Sequence, residues 1–305
     1  MDQNKENVLP SKKRMIRASI KLQEQDWMPT AAVDFYRSEN FQKLEDSMKL
    51  IDESAVFVGP FRNLKEGLDL NGVDLIMLDR EETDLPEMQT FMKCSIGRFA
   101  FWRDTPSEKN PVVVLADLQT VPDIKVVGNK VEHAIYSFCS KIKTYKDQST
   151  DVKAAITDVK NLLGTQTMEK EISQVIKKRS AETVTGVGGP GLLVESFNNK
   201  KNVPRYRIVK NGTPDIDSLL RCLTKIRKNE QQRVIEIIEV LMGNVMMYND
   251  EGYYGNGLEL GHVLFLANQK SVEDKVQMIL PLAYSLYKRS DFKEILQLTL
   301  ELRNN

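Results

Sequence analysis

The sequence predicts an α+β protein, with a small mixed α/β N-terminal domain followed by a mainly α-helical C-terminal domain. Three observations lead to this prediction. Short apolar runs rich in β-branched and aromatic residues, bounded by turn residues, occur before residue 130. Apolar residues at helical spacing dominate from residue 131 onward. Several glycines interrupt the helical pattern within 180–213, so we expect a loop there.

The N-terminal domain is predicted at 14–130, after a flexible tail at 1–13 that lacks apolar periodicity. It begins with a helical pattern over 29–51 that breaks near Ser38. Runs typical of strands follow at 55–58, 73–78, 96–102, 112–115 and 124–127. Together with the helical pattern, these runs and the turn residues between them predict a small α+β domain.

The C-terminal domain is predicted at 131–305 and is mainly helical. Amphipathic stripes predict helices over 131–142, 152–163 and 168–176, and Ser149 and Gly164 are typical ends for the second of these. After the loop at 180–213, Thr213 followed by Pro214 is typical of a helix start. The later segments 231–247, 258–269 and 272–289 are apolar on most faces, so we expect them to be deeply buried or packed between subunits.

Composition sets limits on the class of protein. The chain has 305 residues, of which 41% are hydrophobic, and no run approaches the roughly 18 apolar residues that span a bilayer. Its three cysteines are widely spaced, which argues against a disulfide framework and for a reducing compartment. We therefore expect a cytoplasmic protein, with the nucleus as the alternative.

The formal net charge is zero, but the charges are segregated along the chain. Residues 21–90 hold 7 basic and 16 acidic side chains, whereas residues 91–230 hold 24 basic and 15 acidic ones. Fields act locally, within a Debye length of roughly 10 Å, so a neutral total does not exclude a polyanionic partner. An even surface remains the alternative if folding mixes the two segments.

Patterns that would indicate an enzyme are weak, so we lean towards a protein without catalytic activity and predict no catalytic residue, metal or cofactor. The two histidines, His133 and His262, are not at metal-ligand spacing from a cysteine. The glycines at 186–191 lack the Gly-Lys-Ser/Thr ending of a phosphate-binding loop. The acidic run at 74–87 leaves a metal-dependent nuclease as an alternative, since carboxylates are the ligands of hard cations.

The basic stretch between residues 177 and 228 is the strongest candidate site. Cations alternate there with aromatic residues, which suits single-stranded nucleic acid because cations follow phosphates and aromatic rings stack on bases. The predicted nucleic-acid-binding residues are Lys177, Lys178, Arg179, Phe197, Lys200, Lys201, Arg205, Tyr206, Arg207, Lys210, Arg221, Lys225 and Lys228. An ordinary solvated lysine-rich surface is the alternative.

The C-terminal segment 292–302 is crowded with apolar residues that no single helix face can hide. We therefore expect self-association through this segment. Together these observations predict a non-enzymatic, oligomerising protein that binds single-stranded RNA, of the nucleoprotein or replication-compartment type found in viruses. A protein-interaction scaffold without nucleic-acid binding is the alternative from another class.

Overall fold

The computed structural model describes residues 20–117, 121–145, 149–164, 167–184, 189–194, 216–225 and 231–304. It confirms the α+β class, with an antiparallel five-stranded sheet in the N-terminal half and a mainly helical C-terminal region. The predicted tail at 1–13 and the predicted helix start at Thr213 lie outside the described residues.

Five short helices and the first strand of the sheet precede strand β2 in the chain. The helices are α1 (Ile20–Glu24), α2 (Thr30–Tyr36), α3 (Phe41–Ile51), α4 (Pro60–Glu66) and α5 (Gly72–Met77). The break predicted near Ser38 separates α2 from α3. The strands are β1 (Val56–Phe57), β2 (Met88–Cys94), β3 (Gly97–Trp102), β4 (Val112–Asp117) and β5 (Asp123–Gly128).

The sheet is a meander in which each strand pairs antiparallel with the next, in the order β1-β2-β3-β4-β5. Side chains on successive residues of a strand point to opposite faces. Phe99 and Phe101 of β3 therefore join one apolar cluster, with α2, α3 and the helices after the sheet. Ala100 and Trp102 join a second cluster, with the C-terminal helices. The sheet thus separates two helical layers.

Helices follow the sheet to the end of the chain. They are α6 (Val131–Tyr145), α7 (Thr150–Leu163), α8 (Met168–Glu182), α9 (Ile216–Thr224), α10 (Gln231–Asp250), α11 (Gly255–Leu266), α12 (Glu273–Leu286) and α13 (Ser290–Arg303). The predicted ends of α7 are confirmed, because Ser149 Oγ accepts from the Val152 N–H at 3.3 Å and Gly164 has φ of 65°. All residues of α11 are buried, as its apolar composition predicts.

In the N-terminal half, one predicted strand is a helix and one strand was not predicted. The run at 73–78 is not a strand but helix α5, which begins at Gly72 and buries Val73, Leu75 and Ile76. A short apolar run without strict alternation does not distinguish a buried strand from a buried helix. Strand β2 was not predicted, since its sequence MQTFMKC contains few β-branched residues.

The self-association predicted through 292–302 is also wrong. This segment belongs to α13, where Phe292, Ile295 and Leu296 are fully buried in the chain's own core. The Phe292 ring lies 6.4 Å from the Trp27 ring and 5.7 Å from the Tyr284 ring. Other parts of the same chain pack against α13 on more than one side. Its apolar residues therefore occupy more than one face of the helix.

One apolar cluster contains residues from both sides of the predicted domain boundary at residue 130. Trp27, Met88 and Trp102 pack in it together with Phe265 and Phe292. The division into domains at 14–130 and 131–305 stays a prediction. Within the described ranges, no helix is long and apolar enough to cross a membrane.

Candidate interaction surface

Helix α10 exposes apolar residues on the side that faces solvent. Its opposite side buries Ile238, Leu241 and Val245 in the core. Val240 is 63% exposed and Met247, two turns further along, is 49% exposed. We call this side the α10 outer face, and it consists of Glu236, Glu239, Val240, Gly243, Met246, Met247, Asp250 and the adjoining Glu251.

Helix α12 carries a further exposed methionine beside this face. Met278 is 56% exposed. One turn before it, Lys275 Nζ lies 3.6 Å from Glu239 Oε1, which joins α12 to the middle of α10. Lys275 also contacts Asp274 at 3.0 Å, and these two carboxylates raise the pKa of its ammonium group. The ion pair therefore places Lys275, one turn before Met278, against Glu239 of the α10 outer face.

The composition of the α10 outer face favours a protein partner. Methionine side chains are flexible and polarisable, so they adapt to different apolar surfaces. Exposed apolar groups with a polar rim are typical of protein-interaction sites. Here the rim is mainly acidic, with Glu236 and Glu239 towards one end and Asp250 and Glu251 at the other, while Arg233 and Lys275, which contacts Glu239, add two cations at the first end. Such a rim repels phosphate groups and attracts cationic side chains.

A tight turn fixes the carboxylates at the end of α10. Gly252 has φ of 88°, a conformation that favours glycine. Its N–H donates to the Asn249 carbonyl at 2.9 Å, and the Tyr253 N–H donates to the Tyr248 carbonyl at 2.7 Å. The backbone therefore holds residues 250 and 251 in a defined position at the helix end.

A buried carboxylate anchors the helices beneath this face to the sheet. Glu87, just before β2, accepts from His262 Nε2 of α11 and from the Tyr284 hydroxyl of α12, each at 2.9 Å. Burial pushes the pKa of Glu87 up, but His262 and the other donors outweigh burial and lower it below the usual value. Burial and the charge of Glu87 both raise the pKa of Tyr284. These bonds fix the positions of α11 and α12 relative to the start of β2.

Arg80 makes a second connection between the two halves. Its buried guanidinium donates to the carbonyls of Met88 at 2.7 Å and Leu85 at 2.6 Å, and to Thr299 Oγ1 of α13 at 2.9 Å. Burial lowers the pKa of Arg80, and the nearby Asp84 and Glu87 partly compensate. Glu87 and Arg80 together connect α11, α12 and α13 to the residues around the start of β2.

The predicted nucleic-acid-binding residues are only partly described. Lys177 and Lys178 are exposed near the end of α8, and Arg221 and Lys225 are exposed at α9. Residues outside the described ranges are Phe197, Lys200, Lys201, Arg205, Tyr206, Arg207, Lys210 and Lys228. The grouping of these residues into one site stays a prediction.

Arg179 occupies a different environment from its two lysine neighbours. It is buried, and its guanidinium pairs with both carboxylate oxygens of Asp104. It also donates to the carbonyls of Pro190 at 2.8 Å and Gly191 at 3.0 Å. Its contacts are therefore with the chain itself, where it connects α8 to the loop at 189–191 and to the residues after β3.

The acidic residues at 74–87 contact different partners and serve different structural roles. Asp79 accepts from the Gly59 N–H at 2.9 Å and pairs with Arg62 at 2.8 Å. Asp84 is buried and accepts from the Thr90 hydroxyl at 3.0 Å, while Glu87 faces His262. Among the described residues, no group of three His, Cys, Asp or Glu side chains is placed to hold a metal ion.

Sequence reasoning missed the α10 outer face and the Glu87 network. The adjacent pair Met246-Met247 was a usable signal, but the segment 231–247 was expected to be deeply buried or packed between subunits, with no exposed face assigned to it. No local sequence pattern indicated the role of Glu87, because its partners His262 and Tyr284 are more than 170 residues away in the chain.

Comparison with known proteins gives one consistent result. A protein-family model described as "Histone PARylation factor 1" matches residues 11–303. Histone PARylation factor 1 of Mus musculus is 27% identical over 287 residues, which cover 87% of this chain and 81% of the mouse protein. A putative histone PARylation factor 1-like protein of Homo sapiens is 28% identical over 225 residues, covering 70% of this chain and 63% of the human protein. Histone PARylation factor 1 of Danio rerio is 30% identical over 131 residues, covering 42% and 37%.

These matches overturn the predicted function and partner. The interpretation as a viral, RNA-binding nucleoprotein is wrong, because the family match over residues 11–303 is to a factor of histone PARylation. Single-stranded RNA is accordingly withdrawn as the expected partner, and the nuclease alternative is withdrawn with it. The error arose because a basic segment with interspersed aromatic residues does not by itself identify the partner that it binds.

Proposed function

The chain belongs to the histone PARylation factor 1 family, and from this premise we propose that it is a protein-interaction factor in the poly(ADP-ribosyl)ation of histones. The observation that carries the proposal is the α10 outer face, where exposed Val240, Met246 and Met247 have an acidic rim. A factor in such a reaction has to contact the modifying polymerase, the histone, or both.

The chemistry of the α10 outer face suits such partners. Its apolar centre supplies the desolvated contacts that carry most binding free energy. Its carboxylates attract a surface rich in lysine and arginine, which raises the rate of association and disfavours acidic partners. Helix α10 packs Ile238, Leu241 and Val245 into the core, so its backbone is already ordered before a partner binds and less entropy is lost on binding.

A reconstituted reaction tests the proposal. Core histones, NAD⁺ and a poly(ADP-ribose) polymerase are combined with and without this protein, and ADP-ribose on the histones is quantified. We expect the protein to increase histone labelling. Met247→Glu and Val240→Glu each place a charge in the apolar centre, so we expect each to reduce this increase about tenfold, equivalent to about 1.4 kcal/mol of binding.

Leu50→Glu is the matched control. Leu50 is 72% exposed on α3, so this variant makes the same chemical change at an exposed apolar residue outside the α10 outer face. We expect less than a twofold effect. Separate titrations with histones and with polymerase identify which of them loses affinity in Met247→Glu. Absence of any effect of the wild-type protein on histone labelling contradicts the proposed function, and equal activity of all variants contradicts the assigned surface.

We also propose a nuclear location in place of the expected cytoplasmic one, because histones package nuclear DNA. Fluorescence microscopy of the tagged protein, with a DNA stain in the same cells, checks this proposal. A signal excluded from the DNA-stained region contradicts it.

A further inference from the structure

The methionines of the chain differ sharply in their exposure to solvent. Among the described residues, three are exposed: Met246 at 37%, Met247 at 49% and Met278 at 56%. The buried ones are Met48, Met77, Met88, Met92, Met168 and Met242, each 9% exposed or less. Met246 and Met247 are adjacent in the chain and belong to the α10 outer face, so two thioether sulfurs lie in its apolar centre.

Helix α10 leaves these two sulfurs uncovered on their N-terminal side. Long side chains of a helix lean towards its N-terminus, over the residues three and four positions earlier. For both Met246 and Met247 the residue at that distance is Gly243, which has no side chain. A Cβ atom added to Gly243 would meet nothing within 4 Å. Small molecules in solvent therefore have access to both sulfurs.

Met242 of the same helix provides an internal comparison. It is only 9% exposed and belongs to the apolar cluster that contains Ile238 and Val245. A small molecule reaches such a sulfur only when the packing around it opens. Met242 and Met247 thus share one helix but differ in solvent access.

The thioether of methionine reacts with peroxides by transfer of one oxygen atom. Sδ attacks one oxygen of hydrogen peroxide, the O–O bond breaks, and the other oxygen leaves with both hydrogens as water. The sulfur is oxidised by two electrons to a sulfoxide. Methionine sulfoxide reductases reverse the reaction. A dithiol supplies the two electrons and becomes a disulfide, and the sulfoxide oxygen leaves as water.

Oxidation of these methionines would change the α10 outer face more than the fold. A sulfoxide is polar, so its transfer into a desolvated contact costs free energy unless a donor meets its oxygen. The packed side of α10, with Ile238, Leu241 and Val245, does not contain these sulfurs. We therefore expect oxidation to weaken partner binding without unfolding the protein.

We propose that Met246 and Met247 form a reversible oxidation site, at which peroxide converts the thioethers to sulfoxides and thereby weakens binding of the partner at the α10 outer face. The effect on the partner rests on the proposed function. The selectivity for these two sulfurs rests on their exposure alone. Leucine at both positions would keep an apolar surface but would lack this sensitivity.

Tandem mass spectrometry tests the oxidation site. The folded full chain is treated with hydrogen peroxide, catalase removes the excess, and sulfoxide at each methionine is followed over time. Met242, Met246 and Met247 share one tryptic peptide, so fragment ions distinguish them. We expect Met246 and Met247 to oxidise about tenfold faster than Met242, because susceptibility follows exposure. The same treatment in urea should remove the difference, and equal rates in the folded protein overturn the proposal.

Histone labelling tests the effect on the partner. The oxidised protein, freed of peroxide, replaces the untreated protein in the reconstituted reaction. We expect the increase in histone labelling to fall about tenfold, as for Met247→Glu. Treatment with methionine sulfoxide reductases and a dithiol should restore it. The urea midpoint of the oxidised protein should stay unchanged, and loss of labelling through unfolding contradicts the proposal.

Two variants locate the effect, and each is compared with itself before and after peroxide. The double variant Met246→Leu/Met247→Leu lacks both reactive sulfurs, so peroxide should reduce its histone labelling less than about twofold. Met278→Leu is the matched control, because it removes the exposed methionine of α12 instead. Peroxide should still reduce its histone labelling about tenfold.

The remaining outcomes also decide the proposal. It fails if peroxide reduces the labelling by the double variant as much as that by the wild type, if Met278→Leu gives protection, or if the reductases remove the sulfoxides without restoring labelling. Reductase recovery of the wild type decides the matter even where the double variant is inactive before treatment. No labelling by the untreated protein overturns the proposed function and its regulation together, whereas the oxidation rates still decide whether Met246 and Met247 are the oxidation site.

Discussion

Buried arginines connect segments that are distant in the chain. Arg80 joins the turn before β2 to α13, and Arg179 joins α8 to the loop at 189–191. A guanidinium offers five donors in a planar arrangement, so one side chain can satisfy several carbonyl oxygens at once. Lysine lacks this geometry and would leave some of these acceptors without a donor.

Arg80→Met is expected to reduce the free energy of unfolding by about 3–5 kcal/mol, the usual cost of removing one partner of a buried charged network. The methionine keeps much of the volume but leaves the carbonyls of Leu85 and Met88 without this donor. Urea denaturation measures the change. Arg233→Met on the exposed side of α10 is the control and should change stability by less than about 0.5 kcal/mol. Equal effects of the two variants would contradict the role of Arg80.

Glu87→Gln should make stability less dependent on pH in the acid range. Because the folded protein lowers the pKa of Glu87, the unfolded state binds more protons between the two pKa values. The stabilisation is present above the unfolded pKa of about 4.3 and is lost as pH falls through the folded pKa.

The measurement for Glu87→Gln is urea denaturation at several pH values. At pH 7 the variant should be less stable by about 2–4 kcal/mol, since a charge-assisted network becomes a neutral one. The difference from the wild type should shrink as the pH is lowered below about 4. A difference that stays constant down to pH 2 would show that Glu87 does not titrate as described.

At the scale of elements, the close approach of α11 and α12 depends on a glycine. A Cβ atom added to Gly261 would lie 2.8 Å from Leu280 Cδ1 and 3.2 Å from Leu280 Cα. Gly243 of α10 is the opposite case, because a Cβ atom there meets nothing within 4 Å. The two glycines are both helical but differ in what surrounds them.

Alanine substitutions at these two glycines should therefore have opposite signs. Gly261→Ala should destabilise the protein by about 1–3 kcal/mol through overpacking. Gly243→Ala should stabilise it by about 0.5–1 kcal/mol, because alanine has the higher helix propensity and no contact opposes it. Thermal denaturation of both variants checks the pair. Destabilisation by Gly243→Ala would indicate that another group packs against Gly243 on the α10 outer face.

At the scale of the whole molecule, the shared core predicts one cooperative unfolding transition. Trp27 and Trp102 are buried in the same cluster as Phe265 and Phe292. Tryptophan fluorescence therefore reports on a core that the C-terminal helices complete, while far-ultraviolet circular dichroism reports mainly on the helices. We expect both signals to give the same urea midpoint. Separate midpoints would support independent domains at 14–130 and 131–305.

The candidate site was less predictable than the elements around it. The apolar repeat of α10 was visible, but the exposure of Met246 and Met247 was not, since it depends on which side α11 and α12 cover. The burial of Arg179 was not predictable for the same reason. A run of cations predicts a solvated surface, and only the position of Asp104 shows that this arginine is buried.

The α+β class, most of the helices and four of the strands could be predicted from local sequence patterns, because they follow from periodicities over a few residues. The sequence also contained the family relationship over residues 11–303. Only the tertiary structure decided that α13 is core, that Glu87 meets His262 and Tyr284, and that α10 shows its methionines to solvent. The physical reason is that burial and pairing are properties of contacts between distant segments, which local patterns do not encode.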